Sequence, residues 1–158
     1  MTTMRAVRLH DVLDARLETL PIPEPGPRDL LVRIEACGIC PTDVRKYRIG
    51  VNDGDYPFNP GHEWVGRIEA VGGDVDGWRT GQRVYGDTYA GYAEYALLST
   101  DPQRWSYGPL AIDDDVPLDR AVFVEPLADC LHAVHDQARL QAGERLAVLG
   151  AGQMGLQI

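Results

Sequence analysis

The sequence predicts a mainly β fold with short helices: a partly open antiparallel barrel, followed by the first strand and turn of an α/β unit. Three observations predict it. Strand-like runs at residues 5–10, 16–20, 30–36, 64–71, 82–85 and 92–99 are short, often β-branched or aromatic, and bounded by Gly or Pro. Repeated strands at this spacing suit an antiparallel barrel. The pattern then turns helical over 118–141 and ends in an apolar run, 146–149, that leads into a glycine-rich turn.

Each element follows from local chemistry. The segment 21–27 holds four prolines and a glycine, so it is neither a strand interior nor a helix but a stiff connection. Gly72-Gly73-Asp74 and Gly81 close further turns. In the helical stretch, Leu127, Leu131, Val134 and Ala138 recur at helical spacing, and Pro126 is tolerable near a helix start. Gly143 ends it.

Composition narrows the classes of function. The chain has 158 residues, 44% of them hydrophobic and 25% charged, which fits one ordinary globular domain with a core of its own. A net charge of −9 argues against nucleic acid or an anionic membrane as partner. No apolar run approaches the roughly 18 residues of a membrane span. The start Met1-Thr2-Thr3-Met4-Arg5 lacks a signal peptide's apolar stretch, so a cytoplasmic protein is expected, with Met4 an alternative start. Basic residues are scattered; Arg45-Lys46-Tyr47-Arg48 is the one cluster, read as a solvated patch in preference to a substrate contact. The three cysteines, Cys37, Cys40 and Cys130, read as reduced thiols or metal ligands rather than a disulfide framework.

Four constellations carry chemistry. Gly150, Gly152 and Gly155 form G-x-G-x-x-G directly after an apolar run: a tight turn, close approach of a pyrophosphate, and close helix–strand packing. Cys37-Gly38-Ile39-Cys40-Pro41-Thr42-Asp43 contains C-x-x-C, yet no second C-x-x-C completes a closed zinc site, and the antiparallel context does not suit a redox dithiol. Gly61-His62-Glu63 reads alone as a surface loop. Glu125-Pro126-Leu127 reads alone as an acidic helix start that complements the helix dipole. Taken together, Cys40, His62 and Glu125 supply sulfur, nitrogen and oxygen from separate loops, which is what a catalytic zinc with one open position requires. His132 and Asp136, with Glu125 and Asp129, read as an exposed helix face, and His10 belongs to no constellation.

Cys40-Pro41-Thr42-Asp43, Gly61-His62-Glu63, Glu125-Pro126-Leu127 and the glycine fingerprint, in this order, resemble the medium-chain dehydrogenase/reductase family, in its zinc-containing alcohol, polyol and threonine dehydrogenase branch. The resemblance implies a GroES-like catalytic domain with a linking helix at 1–141. A truncated start of a nucleotide-binding Rossmann domain would follow at 142–158. It implies one catalytic zinc on Cys40, His62 and Glu125, with Glu63 beside the metal and able to bind it or exchange with water. Thr42 would bond the substrate hydroxyl and pass on its proton, and Asp43 would orient His62. Cys37 would be a packing residue. Gly150, Gly152 and Gly155 would hold NAD or NADP.

The implied activity is hydride transfer between a secondary alcohol or polyol, or its ketone, and NAD(P). Partners would be a small-molecule substrate and, in the full-length protein, further copies of the chain. This chain alone is expected to be inactive. Two alternatives stand beside it: a zinc-binding GroES-like module without catalysis, and a zinc-free quinone or enoyl reductase relative. Two departures from the family pattern matter. The segment 85–92 carries no cysteine, so a structural zinc is not expected. Arg45 stands where many relatives have a histidine, and a guanidinium is a poor proton relay. The route past Thr42 is therefore left among water, Glu63 and the cofactor ribose. Tyr47, Trp64 and Tyr89 read as ordinary aromatics in preference to pocket walls.

Overall fold

The computed structural model describes residues 2–51, 56–103 and 108–158. By contacts, the chain divides into two compact units, Met1–Val122 and Phe123–Ile158.

In the first unit, β1 (Thr3–Asp11) and β2 (Asp14–Pro21) form an antiparallel hairpin. The strands β3 (Asp29–Cys37), β4 (Trp64–Val71), β5 (Arg83–Gly86), β6 (Tyr95–Ser99) and β7 (Leu110–Ala111) form an antiparallel sheet in the order β6-β3-β4-β5-β7. Every strand read from the sequence in this unit forms, within a few residues of its expected ends. The short β7 and a helix, α1 (Pro41–Ile49), are additions.

The two sheets partly close on each other. The Val7 amide donates to the Tyr92 carbonyl at 2.8 Å and the Glu94 amide to the Arg5 carbonyl at 3.1 Å, so the chain just before β6 docks on β1. Leu9 and Phe58 exchange two backbone bonds of 2.8 Å at the other end of β1. Register shifts in β3 between Leu31 and Val32, and between Ile34 and Ala36, bend that strand, as bulges do. The expected partly open barrel is what forms.

Alternation along β3 builds the core. Leu30 and Val32 point inward and join Trp64, Ile68, Val84, Ala96 and Leu98 in one buried cluster, with Ile34 and Cys37 packed against it. Trp64 is fully buried, and its indole N–H donates to the Thr88 carbonyl at 2.7 Å, so the ring's one polar group is satisfied. On the outer face of the sheet, Arg67 and Arg83 reach Glu35 across three strands at 3.0 and 3.3 Å. The helix α2 (Leu118–Ala121) packs on β3, and Leu31 is buried as well.

The second unit begins with α3 (Val124–Leu131), which carries Pro126 in its first turn and continues as a π-helical turn, His132–Gln137. His132 Nδ1 meets Asp136 at 2.8 Å with both side chains exposed, the solvated helix face expected. One expectation fails: 146–149 is not a strand. No strand pairs with it among the described residues, and Leu149 is fully exposed. A strand exists through its ladder partners, and an apolar run without them stays irregular. The glycine turn does take the expected strained shape. Gly150 has φ +116°, and a Cβ on Gly155 would collide with the Gly150 carbonyl oxygen. Among the described residues, no helix is long and apolar enough to cross a membrane.

Candidate metal centre

The centre of the site is the start of α1. Cys40 caps this helix, its Sγ 3.5 Å from the Thr42 amide, and Pro41 occupies the first turn, where its missing N–H costs nothing. This fixes Cys40 at the helix N-terminus, exposes Thr42 one step on, and turns Asp43 inward, where it is 4% exposed.

The second arm is the turn ahead of β4. Gly61 has φ +88°, and a Cβ there would come within 2.7 Å of the Tyr92 amide nitrogen, so glycine is required on both counts. The turn delivers His62 and the buried Glu63 to the mouth of β4. Ligand atoms of Cys40, His62 and Glu63 then all lie within 4.8 Å of one another.

Asp43 ties the two arms together. Its Oδ1 accepts from the Gly61 amide at 3.0 Å, and its Oδ2 lies 3.5 Å from His62 Nδ1. The Tyr92 hydroxyl stands 3.1 Å from the same Oδ2 and 3.1 Å from the Gly38 carbonyl oxygen. Burial pushes the Asp43 carboxyl up, but His62, the Gly61 amide and Tyr92 together outweigh it and hold the group below its ordinary value. Asp43 is thus an anion at neutral pH and favours a proton on Nδ1. That leaves Nε2 with the lone pair to give a cation.

The two neighbouring thiols differ. Cys37 packs against the core, and burial, with the Asp43 and Glu63 charges adding to it, pushes its thiol up to about 12. It is a neutral packing residue. Burial also pushes the Cys40 thiol up, against hydrogen bonds from Thr42 that lower it. A divalent cation would reverse that balance and take the thiolate. Thiolate, imidazole and carboxylate within reach of one another are the donor set zinc prefers, so the residues fit that metal.

The expected residues thus separate by unit. Cys40, Thr42, Asp43, His62 and Glu63 come together in the first. Glu125 lies in the first turn of α3, and Gly150, Gly152 and Gly155 lie in the second unit. Sequence reasoning missed Tyr92, the hydroxyl partner of Asp43, and the contact of the Tyr89 ring with His62, edge-on with centroids 5.3 Å apart. Trp64 is core, as expected, whereas Tyr89 faces the site.

Residues 26–108 match the alcohol dehydrogenase GroES-like domain. Sorbitol dehydrogenase of Bacillus subtilis strain 168 is 29% identical over 97% of this chain and 50% of its own length. Human sorbitol dehydrogenase is 31% identical over 94% of this chain and 48% of its own. Among solved structures, a protein of Sinorhizobium meliloti 1021 described as a zinc-binding dehydrogenase, bound to NADP, superposes with a TM-score of 0.84 at 31% identity. It covers 99% of this chain and 52% of that one. The 2R,3R-butanediol dehydrogenase of Bacillus subtilis gives 0.84 at 26% identity, over 98% of this chain and 53% of its own.

The chain belongs to the zinc-type medium-chain dehydrogenase/reductase family, through its alcohol dehydrogenase GroES-like domain. It spans about half the length of the curated relatives it matches.

Proposed function

We propose that this chain is the metal-holding catalytic part of an NAD(P)-dependent alcohol or polyol dehydrogenase. The observation that carries the reading is the meeting of Cys40, His62 and Glu63 within 4.8 Å, with Asp43 behind the imidazole. Cys40, His62 and Glu125 are the proposed zinc ligands, and Glu63 is the carboxylate that binds or exchanges beside them. Zinc held there supplies a Lewis acid that brings an alcohol's hydroxyl toward neutrality.

The chain's own residues do the rest. Thr42, exposed on the first turn of α1, accepts the substrate hydroxyl's hydrogen bond and its proton's passage outward. Asp43 holds His62 in one tautomer and orientation, with Tyr92 and the Gly61 amide fixing Asp43 in turn. Gly150, Gly152 and Gly155 are proposed to seat NAD or NADP, with 1–141 the catalytic part and 142–158 the start of the nucleotide-binding part. A small alcohol or polyol as substrate, assembly of several copies and a cytoplasmic location complete the reading.

Elemental analysis tests it. We expect about one zinc per chain in the wild type and essentially none in Cys40→Ala. Glu63→Gln beside Glu125→Gln then tells which carboxylate the metal needs. Freshly purified wild type without zinc would sink the reading and bring forward the zinc-free reductase relative.

A further inference from the structure

The basic cluster on α1 stands close to the candidate metal centre. Arg5, Arg8, Arg16, Arg28, Arg67 and Arg83 each have a carboxylate within 4.0 Å. Among the described residues, Arg45, Lys46 and Arg48 have none, and neither do Arg79, Arg120, Arg139 and Arg145, in a chain whose net charge is −9. What distinguishes the cluster is its place, beside the aromatic rings that reach His62.

Helix geometry says where the charge stands. Residues three and four apart share a helix face, so Arg45 and Lys46 follow Thr42 one turn along α1. Asp43 points instead into the protein. The Lys46 ammonium lies 5.0 Å from the centre of the Phe58 ring and 4.9 Å from that of Tyr89. The Tyr89 ring in turn meets His62 edge-on. Lys46 therefore stands on an aromatic shelf that runs to the imidazole of the metal site. The rings remove part of its water without supplying an anion, which strengthens the attraction for one that arrives.

We propose that the substrate is an anionic polyol or hydroxy compound, whose phosphate or carboxylate seats on Lys46, with Arg45 beside it, while its reacting hydroxyl meets Thr42. The inference rests on the dehydrogenase reading above and names the substrate class of that site. The anionic group makes and breaks no bond; hydride leaves the carbinol carbon for NAD(P)+ and the hydroxyl proton leaves past Thr42. A charge-assisted contact of this kind corresponds to roughly 10- to 100-fold in affinity.

Calorimetric titration of the zinc-loaded full chain with D-sorbitol, D-sorbitol 6-phosphate and D-gluconate tests it. In the wild type, one of the two anions should bind about 10- to 100-fold tighter than sorbitol. Which anion does so separates phosphate from carboxylate. In Lys46→Gln that ratio should fall to about one, and Lys46→Arg should keep most of it. A wild-type ratio near one overturns the proposal, as does a ratio unchanged in Lys46→Gln. So does a loss confined to NAD(P) affinity, which would give the cation to the cofactor. The zinc count of the same samples is read separately, so a failed metal site is told apart from a failed anion preference.

Discussion

The two units of this chain carry comparable apolar patterning and come to different ends. In the first, each apolar run finds a ladder partner: β3 is flanked by β4 and β6, and its inward residues meet Trp64, Ile68 and Leu98 in one dry cluster. In the second, 146–149 is as apolar as any of those strands, yet it stays irregular, with Leu146, Val148 and Leu149 all exposed. Apolar pattern proposes a strand; hydrogen-bonded neighbours make one. The same contrast governs the sites. Cys40 is held by a helix cap and His62 and Glu63 by a glycine turn, and the buried Asp43 carboxylate joins the two. In the second unit the glycine turn belongs to no sheet, and the Cys130 thiol donates to the Met154 carbonyl at 3.3 Å.

The largest effect should come from Trp64, which joins core and site. Its ring fills the centre of the cluster and lies against Gly86 and Gly91, while the next residue before it is Glu63. Trp64→Ala removes that volume and strands the Thr88 carbonyl, at a cost of about 3–5 kcal/mol. Denaturant unfolding of the first unit should register it, together with weakened zinc retention. A loss under 1 kcal/mol would mean that the barrel does not depend on this cluster, and the contrast between the units would fall.

Much of the first unit is legible in sequence because antiparallel strands are short, local and punctuated by glycine and proline. The helix α1 was not, since residues 41–49 are mostly polar and show no clean apolar stripe. Its signals were terminal instead: Cys40 as cap, Pro41 after it, Arg48 and Gly50 at the end. In the site, Cys40, His62 and Glu63 could be picked out because each sits in a short motif. Tyr92 could not, because its role exists only through Asp43, 49 residues away, in a contact that no local pattern encodes. The second unit misled in the opposite sense. Its apolar run satisfied every local rule for a strand, and only the tertiary partners were wanting.

A medium effect separates Cys37 from the exposed thiol chemistry its motif suggests. Burial raises its pKa from 9.0 to about 12, so the folded state keeps the proton longer than the unfolded chain does. Stability from this group is present below pH 9 and is lost as pH climbs through that window toward 12. Unfolding free energy of the wild type, measured against Cys37→Ala from pH 8 upward, should therefore converge with rising pH. The expected relative loss is on the order of 2 kcal/mol, discounted for the thiol's partial exposure. Parallel pH profiles would place Cys37 in water and deprive the core of one of its edges.

The smallest effect is the sharpest test of the contrast. Leu149 is 100% exposed and Leu98 is 2% exposed, although both are leucines in apolar runs of similar length. Leu98→Ala should cost about 2–5 kcal/mol through lost transfer energy and the cavity left behind. Leu149→Ser removes nothing from water and breaks no ladder, so it should change the stability of this chain by less than about 0.5 kcal/mol. Both variants can be read in the same urea titration. A cost for Leu149→Ser approaching that of Leu98→Ala would show that 146–149 is paired in solution, and that the second unit obeys the strand pattern after all.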